Sequence, residues 1–447
     1  MTDTDVAPAV PAGTSKTPSS TRRAWTVTAL LVVFMMINFA DKSVLGLAAE
    51  EIREDLGLTA SAFGLASSAF FLLFSVSGAA VGLLADRIRP KWLILAMAVL
   101  WSASQAPLAV GGGLAVLITS RVLLGAAEGP AFPVAQQATL SWFPDHRRNL
   151  PGALIVLGIT LGILVAAPVL TWVIQNHGWR SAVAAVALVG VVWALLWVRL
   201  GGEGPYATAS APTGPAASGG ARSEGAPAGA PTAPPPSSAP YRRIVATRTW
   251  IGATTAYFGT YWVIAFALVW LPSYLHKALG YSSAGSTRMV MLVWGLGGVA
   301  VLGQAGLTGR LLRRGAASRW ARGGIGGVLL LVGAAACLAL PFAPAGVLTA
   351  VLLVVGFGLP GAMSSVAVTT VTELAPADRR GGALGIMNAV VTTAGLLAPT
   401  LIGRLVDTHG ADGYRYAVLI TGAVLLLSGA AALTLIDPDR DARRLSL

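Results

Sequence analysis

The chain has 447 residues, of which 55% are hydrophobic and only 11% charged, with a mean hydropathy of +0.71. A soluble domain carries about a quarter charged residues, so the composition argues against a soluble enzyme, a disordered chain and a nucleic-acid binder. The net charge of +12 falls mostly in short segments between apolar runs, the places where Lys and Arg set membrane orientation. The one cysteine, Cys337, sits inside an apolar run, so no disulfide framework is available. The four histidines (His146, His177, His276, His409) are too scattered for a metal cluster, and no metal or cofactor is expected.

Residues 1–24 are rich in Pro, Ser, Thr and Ala and end on Arg22 and Arg23. The apolar run behind them is long enough to span and has no small-residue cleavage site. We read a disordered tail followed by a retained helix rather than a secretory signal. A helix needs about 20 mostly apolar residues to cross a bilayer. By that measure the first half holds six spans, near 25–48, 61–84, 90–111, 114–142, 151–174 and 179–199. The second half holds six more, near 249–275, 285–310, 322–340, 346–373, 382–405 and 414–436. The predicted fold class is an all-α membrane protein of twelve helices in two bundles, 25–199 and 249–436. Between the bundles, 200–248 is dominated by Gly, Ala, Pro and Ser, cannot bury a core and reads as a flexible linker. Residues 437–447 form a C-tail.

Placing both termini and the linker in the cytoplasm puts 23 of the 31 Lys and Arg on that side. Six (Arg53, Arg180, Lys277, Arg288, Arg404, Arg415) fall on the other side, and Lys42 and Arg121 lie within spans. This asymmetry predicts a multi-pass protein of the cell inner (plasma) membrane with cytoplasmic termini. The halves also resemble each other. At an offset of 232, Gly129 meets Gly361, Pro144 meets Pro376, and Arg147-Arg148 meet Arg379-Arg380. Two repeats of six helices around a midplane site is a transporter architecture.

The segment "GLLADRIRPK", Gly82 to Lys91, resembles the loop signature of the major facilitator superfamily between helices two and three. The signature needs a small residue at Gly82 for close helix approach, an acid at Asp86 for a helix end or nearby Arg, and basic residues such as Arg87 facing the cytoplasm. Its counterpart "AGLTGRLLRR" (305–314) has Gly309 where Asp86 stands. "NFADKSVLG" (38–46), "RVLLGAAEGPAFPVA" (121–135) and "HGWRSA" (177–182) resemble the anion:cation symporter family of hexonate, hexuronate and other carboxylate permeases and sialin-like carriers. The resemblance implies a monomeric transporter in membrane lipid, with protons and a small organic anion as partners, and no enzyme activity.

Ionisable residues within a membrane are costly and are functional-site candidates by default. Four lie well inside the spans: Asp41, Lys42, Arg121 and Glu128, all in the first half. Arg121 and Glu128 are two helical turns apart and share a face, whereas the adjacent Asp41 and Lys42 point about 100° apart. Two acids and two bases can also neutralise one another as a packing network, although apolar residues pack more cheaply. In the relatives this chain resembles, acids at the places of Asp41 and Glu128 carry protons, an arginine at the place of Arg121 pairs with an acid, and a basic residue at the place of Lys42 holds the substrate carboxylate. Those relatives commonly have arginine there. Lysine lacks its two-pronged fork.

Further candidates for the cavity are Asn38, Tyr257, Tyr261, Trp262, Ser364, Ser365, Asn388 and Thr392. Each alone is also accounted for by helix packing or an interface belt. Asn388 is the best of them, a bulky amide among small residues. Phe70 and Phe74 are expected to be apolar walls. Hexonate carriers place hydroxyl-binding groups about there and on span five, where this chain offers Ile159, Thr160 and Ile163. That departure favours a smaller or more aromatic carboxylate over a polyhydroxy sugar acid. Gly158, Gly162, Pro168, Gly395 and Pro399 mark close packing and bending. Proton-coupled drug or metabolite export on the same fold is the alternative. Ala167 before Pro168, where efflux antiporters usually carry Gly, weighs against it.

Overall fold

The computed structural model describes residues 18–84, 88–144, 147–206, 240–376 and 379–445. Among them are twelve helices long and apolar enough to cross a bilayer. They are α1 Thr21–Leu47, α2 Ala60–Gly78, α3 Pro90–Val110, α4 Leu114–Leu140, α5 Leu150–His177, α6 Trp179–Leu200, α7 Arg248–Val269, α8 Ser283–Arg313, α9 Arg319–Phe342, α10 Val347–Leu374, α11 Arg380–His409 and α12 Ala411–Leu435. The physical reason is general: in lipid every backbone N–H and C=O needs a partner inside its own segment, and a helix supplies it. Each expected span is met by a helix. Asp86, Arg87, residues 1–17 and most of the expected linker (207–239) lie outside the described residues.

The helix carrying α1 starts at Pro18, inside the stretch expected to be tail. Its first turns find partners: the Trp25 ring meets Phe143 edge-on at 5.2 Å, and the Arg23 guanidinium lies 5.7 Å from the Trp142 ring. A helix therefore continues beyond the apolar run that sequence patterning detects.

In the first half α1 packs on α5 and α6, α2 on α4, and α3 on α4 and α6. In the second half α7 packs on α10, α11 and α12, α8 on α10, and α9 on α12. The halves meet along two long seams, α2 on α11 and α5 on α8, and along a shorter contact of α1 with α7. Moving each helix number by six exchanges the two long seams, as two related repeats require. Glycine makes these approaches possible. A Cβ on Gly125 would stand 1.9 Å from the Phe70 carbonyl oxygen, and one on Gly129 2.2 Å from that of Phe74. Backbone therefore touches backbone between α2 and α4.

The face that carries the start of α1, residues 201–206 and the C-terminal segment is here called the terminal face, and its opposite the far face. At the far face the short helix Ala49–Asp55 follows α1. Its Glu50 pairs with Lys277 of the second half at 2.9 Å, and Asp55 pairs with Arg180.

At the terminal face the helix Pro438–Leu445 docks on the head of α7. Asp441, 1% exposed, accepts the Thr249 N–H at 2.8 Å and the Arg440 guanidinium at 2.9 and 3.0 Å. Burial alone would raise its pKa. The bonds from Arg440 and Thr249 outweigh that and hold the carboxyl down, at about 2. A group depressed in the folded state contributes stability above its unfolded value near 3.9, and that contribution is lost as pH falls through about 2. Asp441→Asn is therefore expected to lower the melting temperature in detergent at pH 7. Its deficit against the unmodified protein is expected to shrink between about pH 4 and 2, measured by nanoscale fluorimetry.

Candidate functional site

Near the middle of α1 three polar residues follow one another on neighbouring faces. Asn38 and Lys42 are one turn apart, so their side chains meet. The Lys42 ammonium donates to Asn38 Oδ1 at 2.5 Å and stands 2.6 Å from Glu128 Oε2 on α4. This second contact is a buried ion pair between α1 and α4. Three phenyl rings close around the ammonium: Phe39 at 4.6 Å, Phe70 at 5.6 Å and Phe74 at 5.6 Å. Each is within cation–π range, and such contacts strengthen when desolvated. The Lys42 side chain retains 8% exposure, Glu128 none.

Asp41, one residue before Lys42, points elsewhere, as helical geometry requires. It is fully buried and accepts from Gln105 Nε2 of α3 at 2.6 Å. Arg121 is 2% exposed and lies within electrostatic reach of both Asp41 and Glu128, but makes an ion pair with neither. Its Nε and Nη2, Asp41 Oδ2, Gln105 Oε1 and the Ser120 hydroxyl are buried without hydrogen-bond partners. Ionisable groups buried together within a membrane span are costly, which makes this cluster the candidate site. The sequence reading missed Gln105. Its one signal was an amide standing alone in the apolar run of α3.

The second half supplies an aromatic wall. Tyr257 and Tyr261 of α7 meet edge-on at 6.2 Å, and Tyr261 meets Phe71 of α2 at 5.9 Å. Trp294 of α8 lies edge-on to Phe39 at 6.4 Å. Tyr261 is also within electrostatic reach of Glu128. Lys42, Asn38, Phe74, Tyr257 and Tyr261 are thus linked through neighbouring contacts, whereas two other expected residues stand apart. Ser365 gives its hydroxyl to Gln304 Oε1 at 3.2 Å, and Gln304 in turn donates to Thr308 at 2.8 Å. Half-buried Asn388 faces Gly78 of α2, and Thr392 shares a hydroxyl hydrogen bond with Ser75 across the seam. Trp262 turns into the second half and donates to Thr421 at 3.2 Å. Gly82 falls in the last turn of the helix carrying α2.

The second half also buries a charge, at a helix end and not deep in a span: Arg322, in the first turn of α9, is 6% exposed and pairs with half-exposed Glu373 near the end of α10. The cause is local. Residues Arg319–Gly324 form a π-helical turn, and a Cβ on Gly323 would stand 2.9 Å from the Ala432 carbonyl oxygen. Close packing on α12 carries Arg322 into the protein.

Comparison with known proteins agrees with this architecture. The model of the family described as Major Facilitator Superfamily matches residues 31–367 and 317–446. The chain is 25% identical to a hexuronate transporter of Bacillus subtilis (strain 168), over 92% of this chain and 94% of the relative. It is 28% identical to a probable sulfoacetate transporter of Cupriavidus necator, over 92% and 93%, and 24% identical to a D-galactonate transporter of Escherichia coli O6:H1, over 93% and 96%. Among solved structures, a bacterial homologue of the human lysosomal transporter Spinster, inward-facing and unoccupied, matches with a TM-score of 0.74 at 17% identity, covering 96% of this chain and 99% of that one. A D-xylose–proton symporter matches with a TM-score of 0.70 at 15% identity, over 93% and 98%. From its two six-helix repeats and the match along most of its length, the chain belongs to the Major Facilitator Superfamily and is a membrane transporter, not an enzyme.

Proposed function

We propose that this transporter takes up a small organic anion together with protons, by alternating access, across the plasma membrane with both termini in the cytoplasm. The observation that carries the reading is the Lys42–Glu128 ion pair, buried among the rings of Phe39, Phe70 and Phe74 in the first half. A carboxylate substrate and the Glu128 carboxylate compete for one ammonium. Protonating Glu128 removes its attraction and releases Lys42 to the substrate. Asp41 sits beside it as a second acid, with Gln105 holding one oxygen and Arg121 within reach of both acids. Arginine keeps its proton, so its movement changes the acids' affinity for protons without itself titrating. A loaded carrier with neutralised acids also crosses a low-dielectric barrier at lower cost than one with exposed charge.

Transporters of hexuronate, galactonate and sulfoacetate are among the relatives, and each of those substrates is an organic anion. Around Lys42 this chain presents Phe39, Phe70 and Phe74 with the single amide of Asn38, and Trp294 lies against Phe39 from the second half, where Tyr257 and Tyr261 stand together. That lining suits a compact or aromatic carboxylate better than a sugar acid. Lys42, Asn38, Phe74, Tyr257 and Tyr261 are the proposed substrate contacts, and Asp41, Glu128 and Arg121 the coupling groups. The molecule works as a monomer, since each chain carries both halves of the site.

Three outcomes test the reading. Lys42→Ala is expected to abolish the stabilisation that a binding carboxylate gives, roughly 3 kcal/mol at a hundredfold excess over Kd and read as a rise in melting temperature, whereas Lys42→Arg retains part of it. Glu128→Gln, a mimic of the protonated state, is expected to stop proton-driven accumulation in proteoliposomes while leaving exchange of substrate across the membrane. Glu128→Gln that still accumulates substrate at the unmodified rate would sink the coupling scheme. In intact cells, a cysteine replacing the exposed Glu203 is expected to react with an impermeant maleimide only after lysis, and labelling from outside would reverse the orientation.

A further inference from the structure

We propose that Asp407 is a positioning residue of the transport cycle: its carboxylate caps the first turn of α2 across the seam between the halves and holds the far face closed. Asp407 Oδ1 accepts the Ala60 N–H at 2.8 Å, and Oδ2 accepts the Ser61 N–H at 2.8 Å. The first N–H groups of any helix lack partners within it. In α2 a local group, the Thr59 hydroxyl, takes the Ala62 N–H at 3.1 Å, but the two before it are satisfied from the other half of the molecule. The contact also sets a negative charge against the positive end of a helix, where anions are favoured.

The backbone of α11 places the carboxylate there. A Cβ on Gly403, one turn before Asp407, would stand 2.4 Å from the Ala60 carbonyl oxygen, and one on Gly64 2.3 Å from that of Pro399. Phe63 of the first half meets Trp270 of the second at 5.4 Å just below. Any parting of α2 from α11 at this end must break both Asp407 bonds and return two N–H groups to water. Asp407 is itself exposed, so the bias it gives is modest and readily reversed, as a gate requires. Glu50–Lys277 crosses the same face, but it joins flexible side chains, and Lys277 is half-exposed, so its contribution is small. The Asp407 cap forms whichever substrate or ion is carried.

The test uses the full-length protein with Ser68→Cys, whose position is 1% exposed and accepts from Thr400 across the seam at 2.8 Å. The native Cys337, fully buried within the second half, is the internal control. Maleimide labelling of each thiol is followed by peptide mass in purified protein. Asp407→Asn is expected to raise the labelling rate at position 68 roughly two- to fivefold, the effect of a surface carboxylate at a helix N-terminus, with the Cys337 rate unchanged. Ser61→Pro deletes one of the two donors at a position where a helix tolerates proline. It is expected to act in the same direction, and the two changes together are expected to give less than the product of their effects, because they remove one interaction. An unchanged rate at position 68 overturns the proposal. So does a rise shared equally by Cys337, which would mean general loosening, and so do effects that multiply independently.

Discussion

The structure turns on the cost of holding charge where water is scarce. A lone ion moved into a low-dielectric interior costs several kcal/mol even after relaxation, and a broken buried pair costs about 3–5 kcal/mol. Asp41, Lys42, Arg121 and Glu128 are nearly or wholly buried together, two acids with two bases. Their neutrality as a set is what makes the burial possible. It also constrains the helices: α1 must present Asp41 to α3 and Lys42 to α4, and α4 must come close enough to α2 for Glu128 to reach Lys42 among the phenyl rings. Gly125 and Gly129 provide that approach. The chemistry and the packing are therefore one problem, solved on the same two turns of α4.

The set is neutral but under-bonded. Asp41 has one donor from Gln105, Glu128 has the Lys42 ion pair, and two nitrogens of Arg121 have no partner. Each buried polar atom that lacks a partner costs about 1–3 kcal/mol. Under the proposed function, the substrate and the protons are the partners that this set takes up in turn. Lysine at position 42 fits this. As a compact, strongly hydrated point charge, it can exchange one carboxylate for another without rebuilding a planar fork, and the rings around it exclude water while it does so.

The fold was legible because the bilayer imposes a length rule that composition reveals directly, and twelve apolar runs became twelve helices. The four ionisable residues were legible by rarity alone. What escaped depended on distant partners. Gln105 is an ordinary amide until the fold places Asp41 beside it. Arg322 reads as the basic end of an apolar run until a π-helical turn and Gly323 draw it inward. Ser365 is a plausible pore hydroxyl until Gln304 claims it. Asp407 lies 347 residues from Ala60 in sequence, and no local pattern announces a helix cap supplied by the other half. Local rules found the elements, and the contacts between halves required coordinates.

Those contacts assign a particular part to α2. Against α4 it has no slack: glycine on one side meets carbonyl oxygen on the other, and any Cβ would clash. Against α11 the far end is as tight, Gly64 meeting the Pro399 carbonyl and Gly403 that of Ala60, and the seam adds the Ser68–Thr400 and Ser75–Thr392 hydroxyl bonds and the capped first turn. Close packing resists sliding because a small displacement brings atoms into overlap, whereas a hydroxyl pair can trade its partner for water with little net change. Close packing against α4 ties α2, with Phe70 and Phe74, to the helix that carries Glu128. Under the proposed alternating access, parting α2 from α11 at the far face gives up glycine–carbonyl packing as well as the Asp407 cap, and it carries Phe70, Phe74 and Glu128 together relative to Tyr257 and Tyr261 of α7, so that access to the site and the surroundings of the Lys42–Glu128 pair change together.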